Sequence, residues 1–235
     1  MKKRILFFKD LGKENYEKTW NYQKKIFNDL IKKKIKNLFY QVAGYLLFVE
    51  HSHHVYTIGK NGKIDKNLLV SSDFLKKINA TVFHIDRGGD ITYHGPGQLV
   101  VYPILDMDYF FTDLHKYLRN LEEVVIHFLW NYYKIKGIRK KGYTGVWLND
   151  NRKLRKICAI GIRISRWVTM HGLALNINTD LRYFNYIIPC GISDYQYQKV
   201  TSLKKELKEH NISFYDVKYH MKKSFKEIFN VEFIY

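Results

Sequence analysis

Only two cysteines, Cys158 and Cys190, occur in the 235 residues, and neither belongs to a Cys-x-x-Cys pair. Their scarcity excludes a disulfide-stapled scaffold and a structural zinc site of the usual spacing, and two reduced thiols suit a cytoplasmic chain. No metal is expected, and the cluster His51-Ser52-His53-His54 reads as a polar strand end. No apolar run approaches the roughly 20 residues needed to cross a bilayer. The positive N-terminus, Met1 to Asp10, has too short an apolar stretch for a signal peptide and lacks a small-residue cleavage site. Acidic residues are also sparse, 22 against 40 Lys and Arg, which leaves a net charge of +18. That charge invites nucleic acid, yet the lysines are scattered from Lys2 to Lys226, without helix-turn-helix, zinc-finger or RNA-recognition patterns. The expectation is no nucleic acid and no membrane, with a basic surface that attracts acidic macromolecules and raises on-rates more than specificity.

What is present is globular composition, 46% hydrophobic and 26% charged. The length suits one large domain over residues 1–235. Trp20, Phe27, Leu30 and Ile31 predict an amphipathic helix from about Tyr16 to Lys34. A stronger one runs from about Asp113 to Tyr133, where Leu114, Leu118, Leu121, Val125, Phe128 and Tyr132 recur at three and four, with Thr112 or Asp113 as cap. Ser213 and Asp216 resemble a capping box opening a third helix, with Val217, Met221, Phe225 and Ile228 on one face. The segment Lys199 to Asn211 reads as a short surface helix. Strands are expected at Gly44 to Glu50, Val55 to Gly59, Thr81 to Asp86, Leu99 to Leu105, Gly145 to Leu148, Ile157 to Ile164 and Thr169 to Asn178. Several follow one another without an intervening helix. The fold class is therefore α/β of the α+β type, with a mixed, largely antiparallel sheet covered by helices.

Four of the 14 glycines and one of the three prolines fall within Arg87-Gly88-Gly89-Asp90-Ile91-Thr92-Tyr93-His94-Gly95-Pro96-Gly97-Gln98, between two apolar runs. Glycine admits positive φ and close approach while proline fixes φ, so this segment reads as a binding loop. Two further stretches stand out, Lys156-Ile157-Cys158-Ala159-Ile160-Gly161 and Ile188-Pro189-Cys190-Gly191. Between them, Gly172 in His171-Gly172-Leu173-Ala174-Leu175-Asn176 would let a ligand pass close to a strand. Cys190, between proline and glycine, is the preferred nucleophile, whereas Cys158 lies in an apolar strand and reads as packed. A thiol of ordinary pKa is only about 3 per cent thiolate at pH 7, so it needs an activating neighbour. An ammonium ~4 Å away supplies roughly 4 kcal/mol at an effective dielectric near 20, enough to offset desolvation. Lys156 is one candidate, and His94 and His171 compete with it as bases.

Taken together, Arg87-Gly88-Gly89-x-x-Thr92-Tyr93-His94-Gly95-Pro96-Gly97-Gln98, Tyr102, the Lys156 and His171 stretches, Pro189-Cys190-Gly191 and Thr201-Ser202-Leu203 resemble the signature of the lipoyl(octanoyl) transferases. Ile188 departs from it, standing where many relatives carry asparagine. The resemblance implies the catalytic-domain fold shared by biotin and lipoate protein ligases. It further implies that Cys190 takes an octanoyl group from an acyl carrier protein and passes it to the lysine of a lipoyl domain, while Lys156 lowers the thiol pKa and relays protons. Acceptors would be the lipoyl domains of 2-oxoacid dehydrogenase complexes or the glycine cleavage H protein, and neither a cofactor nor ATP is implied. An ATP-dependent ligase on the same fold would need no thiol, and Cys190 in its Pro-Cys-Gly setting argues against it. The substrate-binding stretches carried over are Arg87, Gly88, Gly89, Asp90, Ile91, Thr92, Tyr93 and His94, then Ala159, Ile160 and Gly161, then Gly172, Leu173 and Ala174.

Overall fold

The computed structural model describes residues 4–38, 40–150, 153–189 and 198–235. In chain order the elements are β1 (Ile5–Glu14), α1 (Tyr16–Ile35), β2 (Gly44–His51), β3 (His54–Ile58), α2 (Ile64–Asn67), α3 (Ser72–Lys77), β4 (Ala80–His84), β5 (Ile91–His94) and β6 (Gln98–Leu105). The second half contributes α4 (Leu114–Tyr133), β7 (Ile138–Lys140), β8 (Tyr143–Asp150), β9 (Lys153–Ser165), β10 (Val168–Asn176), β11 (Gln198–Val200), α5 (Leu203–Leu207), α6 (Phe214–Phe229) and β12 (Glu232–Ile234).

The expected single sheet is two. Nine strands form the larger, in the order β12-β1-β2-β6-β10-β9-β8-β7 with β11 beside β9, and β4-β3-β5 form the smaller. In the large sheet β12/β1, β1/β2 and β11/β9 are parallel and the other pairs antiparallel, so it is mixed and largely antiparallel as expected. Its central strands β6 and β10 are buried along their whole length because both faces are covered. Alternate residues sort to the two sides. Leu99, Val101 and Leu105 of β6 pack with Leu121, Val125 and Phe128 of α4 and Met221 and Phe225 of α6. Val100, Tyr102 and Ile104 turn to the opposite face, against Ile26, Phe27 and Leu30 of α1.

The three long helices start where their local chemistry puts them. Asp113 accepts from the Lys116 amide, and Ser213 from the Asp216 amide. Thr112 is not the cap. The segment Lys199 to Asn211 holds the expected short helix, α5, but it opens in β11, and α5 is anchored inward by fully buried Leu203 and by Thr201 and Ser202. Strands β1, β5, β7, β11 and β12 were not anticipated.

Gly172 also carries a load beyond the one expected of it. A Cβ there would stand 2.1 Å from the Val101 carbonyl oxygen and 2.6 Å from Pro103 Cδ, so the missing side chain lets β10 close on β6. Gly172→Ala should therefore cost about 2–3 kcal/mol through forced overpacking. A lower urea midpoint at unchanged slope is the expected reading; an unshifted midpoint would show that the strands part without cost.

Candidate active site

A cavity of about 480 Å³ lies between the two sheets. Its floor is a trench of small residues. Gly161 of β9 pairs with Gly172 of β10, and Ala159 pairs with Ala174, which pairs in turn with Val100 of β6. The roof comes from Ile85, the turn at Arg87 to Asp90, Thr92 and His94. The two layers are stitched together by Gly88, whose amide donates to the Ile162 carbonyl at 2.9 Å.

The glycine-rich segment is not one loop but two turns flanking β5, which pairs with β3. Strand alternation therefore divides the expected binding residues. Thr92 and His94 line the cavity, while Ile91 and Tyr93 pack with Tyr56, Ile58, Phe184 and Ile187 in the core of the small sheet. Ile91 and Tyr93 thus sit in that core and not in the cavity lining. Arg87, Gly88, Gly89, Asp90, Ala159 and Ile160 line the cavity, as do Gly161, Gly172, Leu173 and Ala174. The Arg87 guanidinium closes its own turn, donating to the carbonyls of Thr57 (2.6 Å), Gly88 (2.9 Å) and Asp90 (3.2 Å).

Both histidines proposed as bases face the cavity, in different settings. His171 adopts φ +62 within β10, and its Nε2 lies 2.8 Å from Asp86, which also pairs with Arg163. The hydrogen bond from His171 holds the Asp86 carboxyl below its ordinary value. His94 Nδ1 lies 2.8 Å from Gln98 Oε1, whose amide donates to Asn176 Oδ1 at 2.9 Å. Asn176 in turn donates to the Thr201 carbonyl at 2.9 Å. This chain assigns the proton of neutral His94 to Nδ1. Gln98 and Asn176 were missed as site residues, although Gln98 stands inside the glycine-rich motif.

Burial pushes His51, His94 and His171 down from 6.5, and His94 reaches about 4. As pH falls below 6.5 the unfolded chain takes up protons that the folded chain refuses, so stability declines. His94 alone contributes a loss on the order of 3 kcal/mol, spread between pH 6.5 and about 4 and complete below that. Urea midpoints should fall steadily across that window. His94→Gln should flatten the slope, and an identical slope would mean that this imidazole is protonated in the folded state.

Lys156 reaches the same cavity because β9 carries a bulge: Val146 pairs with Cys158 but Trp147 with Lys156. The extra residue lets Lys156 and Ala159, three positions apart, face one side. The Lys156 ammonium sits 4.7 Å from the Trp147 ring centroid, and the stem passes Gly145, whose absent Cβ would meet Cε at 3.4 Å. Gly145 is fixed in turn by its amide, which donates to the buried Glu122 carboxylate at 3.0 Å. Burial raises the Glu122 pKa while Gly145, Arg119 and Arg139 oppose the rise.

Cys158 is fully buried in the large core, and burial pushes its thiol far up. This agrees with its reading as a packed residue. Cys190 lies outside the described residues; Pro189, immediately before it, lines the cavity together with Lys156. Among the described residues no group of three His, Cys, Asp or Glu is placed to hold a metal ion, and no helix is long and apolar enough to cross a membrane.

The family model described as "Lipoyl protein ligase A/B catalytic domain" matches residues 15–226. An octanoyltransferase of Christiangramia forsetii is 53% identical over 232 residues, covering 97% of this chain and 97% of that protein. One from Flavobacterium psychrophilum is 51% identical, over 94% of this chain and 95% of that protein. Among solved structures, a bipartite lipoate protein ligase of Thermoplasma acidophilum, studied with its E2 lipoyl domain, superposes with a TM-score of 0.70 at 17% identity, covering 100% of this chain and 86% of that one. A lipoate-protein ligase A bound with ATP gives 0.67 at 17% identity, covering 100% and 88%. At such identities these structures report the fold.

Proposed function

The chain belongs to the lipoyl protein ligase A/B catalytic domain family, and we propose that it transfers an octanoyl group from an acyl carrier protein to the target lysine of lipoyl domains, through a thioester on Cys190. The observation that carries this reading is a buried ammonium, Lys156, on the wall of a small-residue trench whose lining also includes Pro189 of the Pro-Cys-Gly segment. Near-full-length relatives at about 50% identity bear the name octanoyltransferase. Residues 1–235 act as one catalytic domain.

The chemistry balances without an added reactant. The Cys190 thiolate attacks the donor thioester, a new S–C bond forms, and the bond to the carrier's thiol breaks. Lys156 gives its proton to the departing sulfur and becomes a neutral amine. The neutral ε-amine of the acceptor lysine then attacks the Cys190 thioester. As the amide forms and the cysteine sulfur leaves as thiolate, the excess proton on nitrogen returns to Lys156. Exchange of one thioester for another is nearly level, and formation of the amide draws the sequence forward, so no nucleotide is needed. The apolar trench takes the acyl chain, and the turn at Arg87 to Asp90 covers it. A basic surface, +18 overall, suits acidic carrier and lipoyl domains.

Acceptors are the lipoyl domains of 2-oxoacid dehydrogenase complexes or the glycine cleavage H protein, met in the cytoplasm. The test is transfer from octanoyl carrier protein to a lipoyl domain with ATP omitted. Modification of the acceptor lysine is expected. Modification that appears only when free acid and ATP are supplied would replace this reading by that of a ligase.

A further inference from the structure

We propose that Tyr102, held in place by His51, ends the acyl slot and sets the chain length that the enzyme accepts; the inference rests on the acyl-transfer reading above. The trench crosses the sheet from β9 to β6. Small side chains clear its first two strands, Ala159 and Gly161 on β9 opposite Ala174 and Gly172 on β10. On β6 the floor rises, first to Val100 and then, two residues further along the same face, to Tyr102.

Behind that rise stands a closed wall of rings. The Tyr102 hydroxyl lies 2.9 Å from His51 Nε2, a bond between buried groups that pins the phenol. Tyr16 packs on His51 at 5.0 Å between centroids and stacks on His94 at 6.0 Å and 13°. Tyr16, His94 and Tyr102 face the cavity, and fully buried His51 ties them together from behind. Tyr102 stands level with Gly172 and Gly161, two inter-strand steps across from β9, and Lys156 lies five residues from Gly161 along β9, so the backbones at the two ends of the slot are roughly 19 Å apart. The Lys156 and Tyr102 side chains fill part of that distance from either end, and what remains between them takes an extended medium-length acyl chain but not a long one. His51 touches no substrate in this arrangement and serves as a positioning residue.

The experiment offers the protein a mixture of hexanoyl, octanoyl, decanoyl and dodecanoyl carrier proteins, with a lipoyl domain as acceptor, and reads the products by intact mass. Wild-type protein should favour octanoyl. Tyr102→Ala should raise the decanoyl-to-octanoyl product ratio about tenfold or more, the scale set by one or two methylenes in an apolar pocket. Tyr102→Phe, which keeps the ring, should retain the wild-type order. In the opposite direction, Ala174→Val narrows the trench before the wall and should favour hexanoyl. Should Tyr102→Ala fail to fold, Tyr102→Leu with Ala174→Val makes the same comparison. A chain-length profile unchanged in these variants, with octanoyl still transferred, overturns the inference. Absence of octanoyl transfer by the wild-type protein would instead remove the functional reading, and this inference with it.

Discussion

Replacing Cys190 by alanine should abolish octanoyl transfer while the protein stays folded. The expected loss is of order 10⁵ or more, the scale on which removal of a covalent nucleophile registers in acyl-transfer enzymes. Cys158→Ala is the matching control. Its thiol is shut inside the large core and pushed far from ionisation, so the sulfur takes no part in chemistry. That variant should keep its activity and lose about 1 kcal/mol of stability through a small cavity. Transfer rates on a lipoyl domain, together with far-ultraviolet circular dichroism, distinguish the two. Full activity in Cys190→Ala would rule out a covalent route, because the other cysteine of the sequence, Cys158, is shut in the core.

Lys156→Ala should lower transfer by roughly 10²- to 10⁴-fold, the usual contribution of a positioned proton donor and acceptor. A second reading separates electrostatics from packing. The cation favours thiolate, so its removal should displace the pH profile of Cys190 alkylation upward, measured with a neutral alkylating reagent. Arginine is not expected to rescue turnover, since a guanidinium holds its proton throughout and cannot relay it. Trp147 enters through the same ammonium. With its ring 4.7 Å from the charge it orients Lys156, so Trp147→Leu should reduce turnover less than Lys156→Ala. An alkylation profile unmoved in Lys156→Ala would remove the electrostatic role from the lysine.

Much of this architecture is local and was legible. Helices α1, α4 and α6 announce themselves through three-and-four spacing, and the caps of the latter two through Asp113 and Ser213. Strand β6 stands out as a continuous apolar run from Leu99 to Leu105, and β10 through the shorter run Leu173-Ala174-Leu175. Strand β1 was lost because its Lys9, Asp10 and Lys13 interrupt the pattern; only pairing with β2 and β12 makes it a strand. Only four residues long between its turns, β5 was hidden, and with it the period of two that sends Thr92 and His94 into the cavity and Ile91 and Tyr93 away.

The site divides in the same way. Its glycines, alanines and Lys156 sit in recognisable stretches, so the trench was readable as composition. Its wall was not. Tyr16, His51, His94 and Tyr102 come from four elements, and nothing in the spacing of His51 and Tyr102 foretells their hydrogen bond. The bulge in β9 was equally silent, since it exists only as a change of register against β8.

The account turns on an acyl group being held by the sulfur at position 190. Incubation with octanoyl carrier protein, without ATP or acceptor, followed by intact and peptide mass spectrometry, addresses this most directly. An adduct of octanoyl mass on the Cys190 peptide is expected, released by hydroxylamine and discharged when a lipoyl domain is added. Efficient transfer to the lipoyl domain with no adduct at Cys190, or with one that the acceptor cannot discharge, would contradict it.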